Sequence, residues 1–445
     1  MFNLFKDKIF LRNLSILAIP IVINELINSL INVMDTFMIG KLGPTYVTSV
    51  GLSNQVFFLF ILICFGLCSG ASIYMGQYWG SNDTKGVRKV MGIGLIGGQI
   101  AAIIFFIAIR FFPRAIMSIY SKDEEVIQLG IEYLNIIGYS YFLTAIIVVI
   151  NAALKAIGQA KQPMITTLIS LLSNIVFNSI FIFGFGMGVK GAAIGTVIAR
   201  AIELSVQLVL IKVRKIPILG KPSDYIKWEE GFLLKYSKVA APVLVNEFMW
   251  ALGTTIYSIA YKYSGTVAQA AVQVASSVQN LFAVAGMGVG AACGIMISNT
   301  LGARDEERAV DYAFKATWLC VIFSLLSGAI LAVAAPHIVS FFEIDDLGRK
   351  YATYMLYIVA ICLVFKNVNY INIVGILRNG GDTFFTLILD TASVWLIGVP
   401  MAFLGSKILG LPVYITFAMV YSEEVVKLVF SQLRILKKKW VNTVI

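Results

Sequence analysis

Charge is scarce in this sequence: Asp, Glu, Lys and Arg make up 13% of its 445 residues, where soluble domains carry about 25%. Hydrophobic residues reach 59% and mean hydropathy is +0.85. A string of soluble domains is thereby excluded, and an integral membrane protein is implied. Histidine is nearly absent: His337 alone provides no cluster for metal-dependent hydrolysis. The five cysteines, Cys64, Cys68, Cys293, Cys320 and Cys362, all fall inside apolar runs, which argues for packed thiols and against disulfides or a zinc site. No Gly-x-Ser-x-Gly elbow and no Walker loop occurs, so neither a hydrolase nor an ATP-driven pump is expected. The chain reads as a non-enzyme without a cofactor.

Basic residues exceed acidic ones, 35 to 24, but they lie in short clusters between long apolar runs, which makes them a topology signal rather than a nucleic-acid footprint. Apolar stretches of membrane-spanning length predict twelve helices, at 14–39, 45–72, 90–112, 127–150, 162–184, 189–212, 236–261, 267–297, 314–336, 351–375, 383–405 and 409–434. Lys6, Lys8 and Arg12 precede a first run too long for a signal-peptide core, so that span is expected to be retained. With the N-terminus inside, the connections and tails on that side hold 23 Lys/Arg, Arg378 among them, and the opposite side holds nine. Both termini are therefore expected in the cytoplasm of a cell-membrane (inner or plasma membrane) protein.

One long connection, 213–235, separates two halves of six helices. The expected organisation is a cytoplasmic tail (1–13), an N-lobe (14–212), the connection, a C-lobe (236–434) and a basic tail (435–445). The halves are repeats. At an offset of 222, positions 18–83 match 240–305 at 14 of 66 residues, including Ala18/Ala240, Pro20/Pro242, Asn24/Asn246, Glu25/Glu247 and Asp83/Asp305. Later landmarks keep the order: acidic loops at Asp123 to Glu125 and Glu343 to Asp346, then Leu154-Lys155 against Leu377-Arg378. Six helices per half is an even number, so the repeat is parallel, a plan found in secondary transporters.

Met34-Asp35-Thr36-Phe37-Met38-Ile39-Gly40-Lys41-Leu42-Gly43, the stretch Gly66 to Gly80 ending Gln77-Tyr78-Trp79-Gly80, Gly188-Val189-Lys190-Gly191-Ala192-Ala193-Ile194-Gly195-Thr196, and Leu377-Arg378-Asn379-Gly380-Gly381-Asp382-Thr383 together resemble the multidrug and toxic compound extrusion (MATE) transporters over nearly the whole chain. The resemblance implies an antiporter working as a monomer in the bilayer. It would export amphiphilic, cationic organic compounds in exchange for Na⁺ or H⁺ by alternating access.

Ionisable residues inside a bilayer are functional candidates by default. Asn24, Asn28, Asn32 and Asp35 form one polar stripe on the first helix, with Glu25 at its edge; Ser170, Asn174 and Asn178 repeat on the fifth, and Thr196, Arg200 and Glu203 share a face of the sixth. A carboxylate among amide and hydroxyl oxygens suits either a proton or sodium. The resemblance places Asp35, Asn174, Asn178 and Thr196 at the family's N-lobe cation network, although many members carry an aspartate where this chain has Asn178. The seventh helix brings Glu247 with Trp250, Thr254, Tyr257 and Tyr261, acid and rings suited to an organic cation. In a sodium-binding branch of the family a carboxylate here joins one in the tenth helix, where this chain has Lys366-Asn367. Glu247 thus has two readings, a substrate or cation site and an ion pair with Lys366.

Asp390 is either a second cation ligand or a packing group. Arg200 with Glu203 and Glu424 with Lys427 read as structural i, i+3 pairs, and Gly286, Gly288, Gly290 and Gly294 as close helix packing. Pro20 and Pro242 are expected to bend the first helix of each lobe and to act as hinges. The rivals are a lipid-linked or polysaccharide flippase of the same wider superfamily and, more remotely, a channel or receptor.

Overall fold

A computed structural model describes residues 7–342 and 344–445. Lys6 of the N-terminal basic cluster, the first six residues of the expected tail, and Glu343 of the second acidic loop lie outside the described residues.

Long apolar segments in a bilayer must satisfy their own backbone, and helices do so within one segment. Among the described residues eleven helices are long and apolar enough to cross a membrane. They are α1 (Lys8–Gly40), α2 (Pro44–Gly80), α3 (Thr84–Phe111), α5 (Glu124–Ala156), α6 (Lys161–Gly184), α7 (Gly188–Val213), α9 (Phe232–Ser264), α10 (Thr266–Gly302), α11 (Glu306–Ser340), α12 (Asp346–Arg378) and α13 (Thr383–Ile408). Short helices α4 (Pro113–Tyr120) and α8 (Pro222–Ile226) lie between them.

The expected twelfth helix, 409–434, is instead two pieces, Val413–Val420 and Ser422–Leu436. At the break the ladder tightens to i→i+3 bonds, Tyr421 N to Ala418 O at 3.1 Å and Glu424 N to Tyr421 O at 3.0 Å, while Ser422 Oγ donates to Met419 O at 2.7 Å. Several helices also outrun their expected limits, α2 reaching Gly80 rather than 72, because glycine and polar residues that suggest an end in water are carried within a long packed helix.

The chain forms two compact units, Ile19–Ala240 (the N-unit) and Met1–Ala18 with Ala241–Ile445 (the C-unit). The changeovers fall at the repeat-related residues Ala18 and Ala240, each two residues before the proline inside α1 or α9. In the C-unit the leading turns of α1 dock through Phe10 on Tyr312 (ring centroids 5.4 Å) and Asp7 on Lys315 (2.7 Å). In the N-unit those of α9 dock through Tyr236 Oη, which donates to Leu67 O at 3.2 Å, and Tyr74 Oη, which donates to Lys235 O at 2.9 Å.

Each unit has its own apolar core. Phe60 stacks on Tyr141 at 4.7 Å in the N-unit, and Tyr261, Phe417 and Leu331 are buried in the C-unit. Large apolar side chains also face outward, as with Ile100, Ile103, Ile104 and Ile107 on α3 and Leu325, Leu326, Ile330 and Val333 on α11, surfaces that hydrocarbon stabilises and water would not. The α2–α3 and α10–α11 turns repeat in detail. Asn82 and Arg304 take φ of 60° and 61°, and Asp83 and Asp305 cap the next helices through the amides of Gly86 (2.9 Å) and Arg308 (3.1 Å). Gly286, Gly290 and Gly294 of α10 lie against Asn367, Tyr370 and Asn379, the close packing expected of them. Four cysteines are buried and Cys362 half-buried, all as free thiols.

The 213–235 connection folds onto α3 within the N-unit. Arg88 pairs with Asp224 at 3.0 Å, Lys89 with Glu229 at 2.6 Å, and Trp228 Nε1 donates to Lys89 O at 3.1 Å. The Lys89 hydrogen bond holds the Glu229 carboxyl below the usual range.

Candidate functional site

The N-unit gathers the predicted network. Asn178 Nδ2 donates to Asp35 Oδ1 at 2.7 Å and to Asn174 Oδ1 at 3.2 Å, and Asn174 Nδ2 donates to Thr196 Oγ1 at 3.2 Å. Thr196 in turn donates to Ala192 O at 3.0 Å. Three helices, α1, α6 and α7, thus supply one chain of polar contacts ending on one half-buried carboxylate. Gly195 makes it possible, since a Cβ there would fall on Asn178 Oδ1. That oxygen is buried without a donor, so Asp35, Asn178, Asn174 and Thr196 present more acceptors than donors, the balance a cation requires. Of the other stripe residues, Asn24 is buried, Asn28 half-buried and Asn32 exposed. Arg200 and Glu203 form the expected pair at 2.7 Å, with Thr167 donating to Glu203 at 3.3 Å.

The C-unit arranges its charges differently from the expectation. Glu247 pairs with Arg378 at 2.5 Å, not with Lys366. Arg378, counted above with the cytoplasmic connections, is 4% exposed. The repeat held the signal: Glu25 matches Glu247 and Lys155 matches Arg378, and in the N-unit Lys155 pairs with Glu25 at 3.4 Å. Lys366 is half-buried, within electrostatic reach of Glu424 and Glu423, and among the described residues no carboxylate lies close enough to pair with it. The expected aromatic stripe is not gathered around Glu247. Trp250 is exposed, Tyr257 Oη donates to Glu423 Oε2 at 2.6 Å, and Tyr261 is buried beside Phe417.

Asp390 is buried with both oxygens engaged, Oδ1 by Lys427 Nζ at 2.8 Å and Oδ2 by Asn246 Nδ2 at 3.1 Å. Lys427 also reaches Glu423 at 3.7 Å and Glu424, its expected i, i+3 partner, at 3.9 Å. An ammonium therefore stands beside Asp390 where a second coupling ion was one reading. Sequence reasoning missed Glu423 altogether, because no helical spacing links it to Tyr257.

The MatE family profile matches twice, over residues 20–180 and 242–404, once in each half of the repeat. Among relatives, the "Probable multidrug resistance protein YoeA" of Bacillus subtilis is 23% identical over 89% of this chain and 87% of its own. The "Probable multidrug resistance protein NorM" of Thermotoga maritima is 24% identical over 88% and 84%. Among solved structures, one described as MATE in the bent conformation superposes with a TM-score of 0.87 at 22% identity, covering 97% of each chain. A transporter of the MOP superfamily from Pyrococcus furiosus, described as having a binding pocket of reverse polarity, superposes with a TM-score of 0.84 at 21% identity, over 97% of this chain and 96% of its own.

Proposed function

The chain belongs to the MatE family, whose members are integral membrane transporters rather than enzymes, and on that premise we propose that Asp35 is the coupling carboxylate of an antiporter exporting amphiphilic organic cations in exchange for Na⁺ or H⁺. The observation that carries this assignment is the chain from Asp35 through Asn178 and Asn174 to Thr196, an acid held by amides and a hydroxyl on three helices. A carboxylate in that setting binds a proton directly, or sodium with the help of the neighbouring amide and hydroxyl oxygens. The multidrug names of the relatives support the substrate class.

The lobes 14–212 and 236–434 serve as the moving bodies of alternating access, as monomers. Pro20 and Pro242 serve as hinges, a role supported by their place two residues after each changeover between units. Both termini and the 213–235 connection are cytoplasmic. A cysteine at Lys227 in a Cys-free variant should react only from inside, and labelling from outside would overturn this topology.

The decisive experiment is drug efflux from proteoliposomes under sodium and proton gradients imposed separately. Asp35→Asn preserves shape and removes a charge, so the variant should fold and lose gradient-driven efflux. Wild-type rates in that variant would eliminate Asp35 as the coupling group.

A further inference from the structure

We propose that the C-unit holds a second protonation site, at Glu423. Its use in a transport cycle rests on the antiporter reading above; its existence does not. Glu423 lies in the first turn of Ser422–Leu436 and is 7% exposed. The groups facing it come from every element around it: Tyr257 and Tyr261 from α9, Asp390 from α13, Lys366 from α12, Tyr421 from the break just before it, and Glu424 and Lys427 from its own segment.

The support given to the three acids is unequal. Asp390 takes the Lys427 ammonium at 2.8 Å and Asn246 at 3.1 Å. Glu424 Oε2 takes Asn369 Nδ2 at 2.7 Å. Glu423 has a neutral phenol at 2.6 Å and the same ammonium only at 3.7 Å. Three carboxylates face two ammonium groups, Lys427 and Lys366, while Glu247 and Arg378 neutralise each other. One net negative charge is expensive to bury, and one proton removes it.

A second observation points to the same missing donor. Asn246 and Asn369 spend their Nδ2 groups on Asp390 and Glu424, and their buried Oδ1 atoms have no donor. The cluster is rich in acceptors. Gly398 of α13 closes over it, since a Cβ there would stand 2.5 Å from Glu423 Oε2. In the step proposed, a proton from solution adds to Glu423 Oε1, converting carboxylate to carboxylic acid, while Tyr257 continues to donate to Oε2; no other bond breaks.

The test is infrared difference spectroscopy on the whole protein in lipid, between two pH values that both lie above the ordinary carboxylate range so that exposed acids stay ionised, with Asp35→Asn as the background so that Asp35 contributes nothing. A carboxylic-acid C=O band should appear at the lower pH in Asp35→Asn, vanish when Glu423→Gln is added, and shift when Tyr257→Phe is added, which removes the phenol hydrogen bond and little volume. In that background a band unchanged by Glu423→Gln, or no band that responds to either C-unit variant, would overturn the proposal. If Glu423→Gln does not fold, the Tyr257→Phe shift decides alone. Failure of Asp35 as coupling group would appear in efflux and leave this band in place, so the two readings fail separately.

Discussion

The two halves of this protein keep the same frame and fill it with different chemistry. Both carry a Glu–basic pair at matching positions, Glu25–Lys155 and Glu247–Arg378, and both turn into their third helix through an aspartate cap. Yet Asp35 of the N-unit corresponds to Tyr257 of the C-unit, and the acid of the C-unit cluster arrives from the far end of the chain, at Glu423. A duplicated fold thus conserves what holds helices together, while charged chemistry moves between helices so long as the local charges balance. The paired side chains also differ in exposure, 4% and 14% for Arg378 and Glu247 against 24% and 41% for Lys155 and Glu25, and exposure decides how much each pair contributes.

The largest contrast is therefore expected on breaking the buried pair. Arg378→Met leaves Glu247 without its partner and should cost about 3–5 kcal/mol, read as a large drop in the unfolding midpoint of the purified protein. Replacing both, Glu247→Gln with Arg378→Met, should recover most of that loss, because removing a whole buried pair is often near neutral. If the double variant is stable and inactive, Glu247 acts in the transport cycle; full activity would leave it a structural half-pair. A double variant no more stable than Arg378→Met would show that the pair is not the unit of stability.

The N-unit counterpart should respond far less. Lys155→Met or Glu25→Gln, with side chains partly in solvent, should change stability by about 1 kcal/mol or less, and an effect as large as that of Arg378→Met would abolish the distinction drawn here. A chemical comparison follows from Asn178, whose amide donates to Asp35. Asn178→Asp should give Asp35 a like-charged neighbour and raise the number of cations exchanged per cycle, measured as the gradient at which net flux reverses. An unchanged reversal point would show that residue 178 only positions Asp35.

The smallest expected effect concerns the leading turns. The Lys315 hydrogen bond holds the Asp7 carboxyl below its ordinary value, so this contact contributes above the ordinary aspartate range and fades as pH falls through the lowered value. Asp7→Asn should loosen the α1 leading turns by less than about 1 kcal/mol, an effect that salt diminishes, visible as faster amide exchange near Phe10. The α9 leading turns, held by tyrosine hydroxyls on carbonyls, should show no such salt dependence.

The class of fold and the duplication were legible in the sequence because both depend on properties that persist along a helix. Apolar runs must be long enough to span hydrocarbon, and a repeat leaves its polar residues at a constant offset. The Asp35 network was legible for the same reason: Asn174 and Asn178 share a helical face, and only their meeting with α1 and α7 needed the structure. Spacing along one helix says nothing about which neighbour a side chain meets. Hence Glu247 seemed open to Lys366, which stands where the resemblance to a sodium-binding branch leads one to expect a carboxylate, although the duplicated pair pointed to Arg378. The seating of Lys427 on Asp390 and the contact of Tyr257 with Glu423 arise between different helices, and the break at Tyr421 arises from local competition for backbone carbonyls. Such choices are made by burial, where each charge takes the partner that leaves the least unpaired, and only the packed helices determine which partners are within reach.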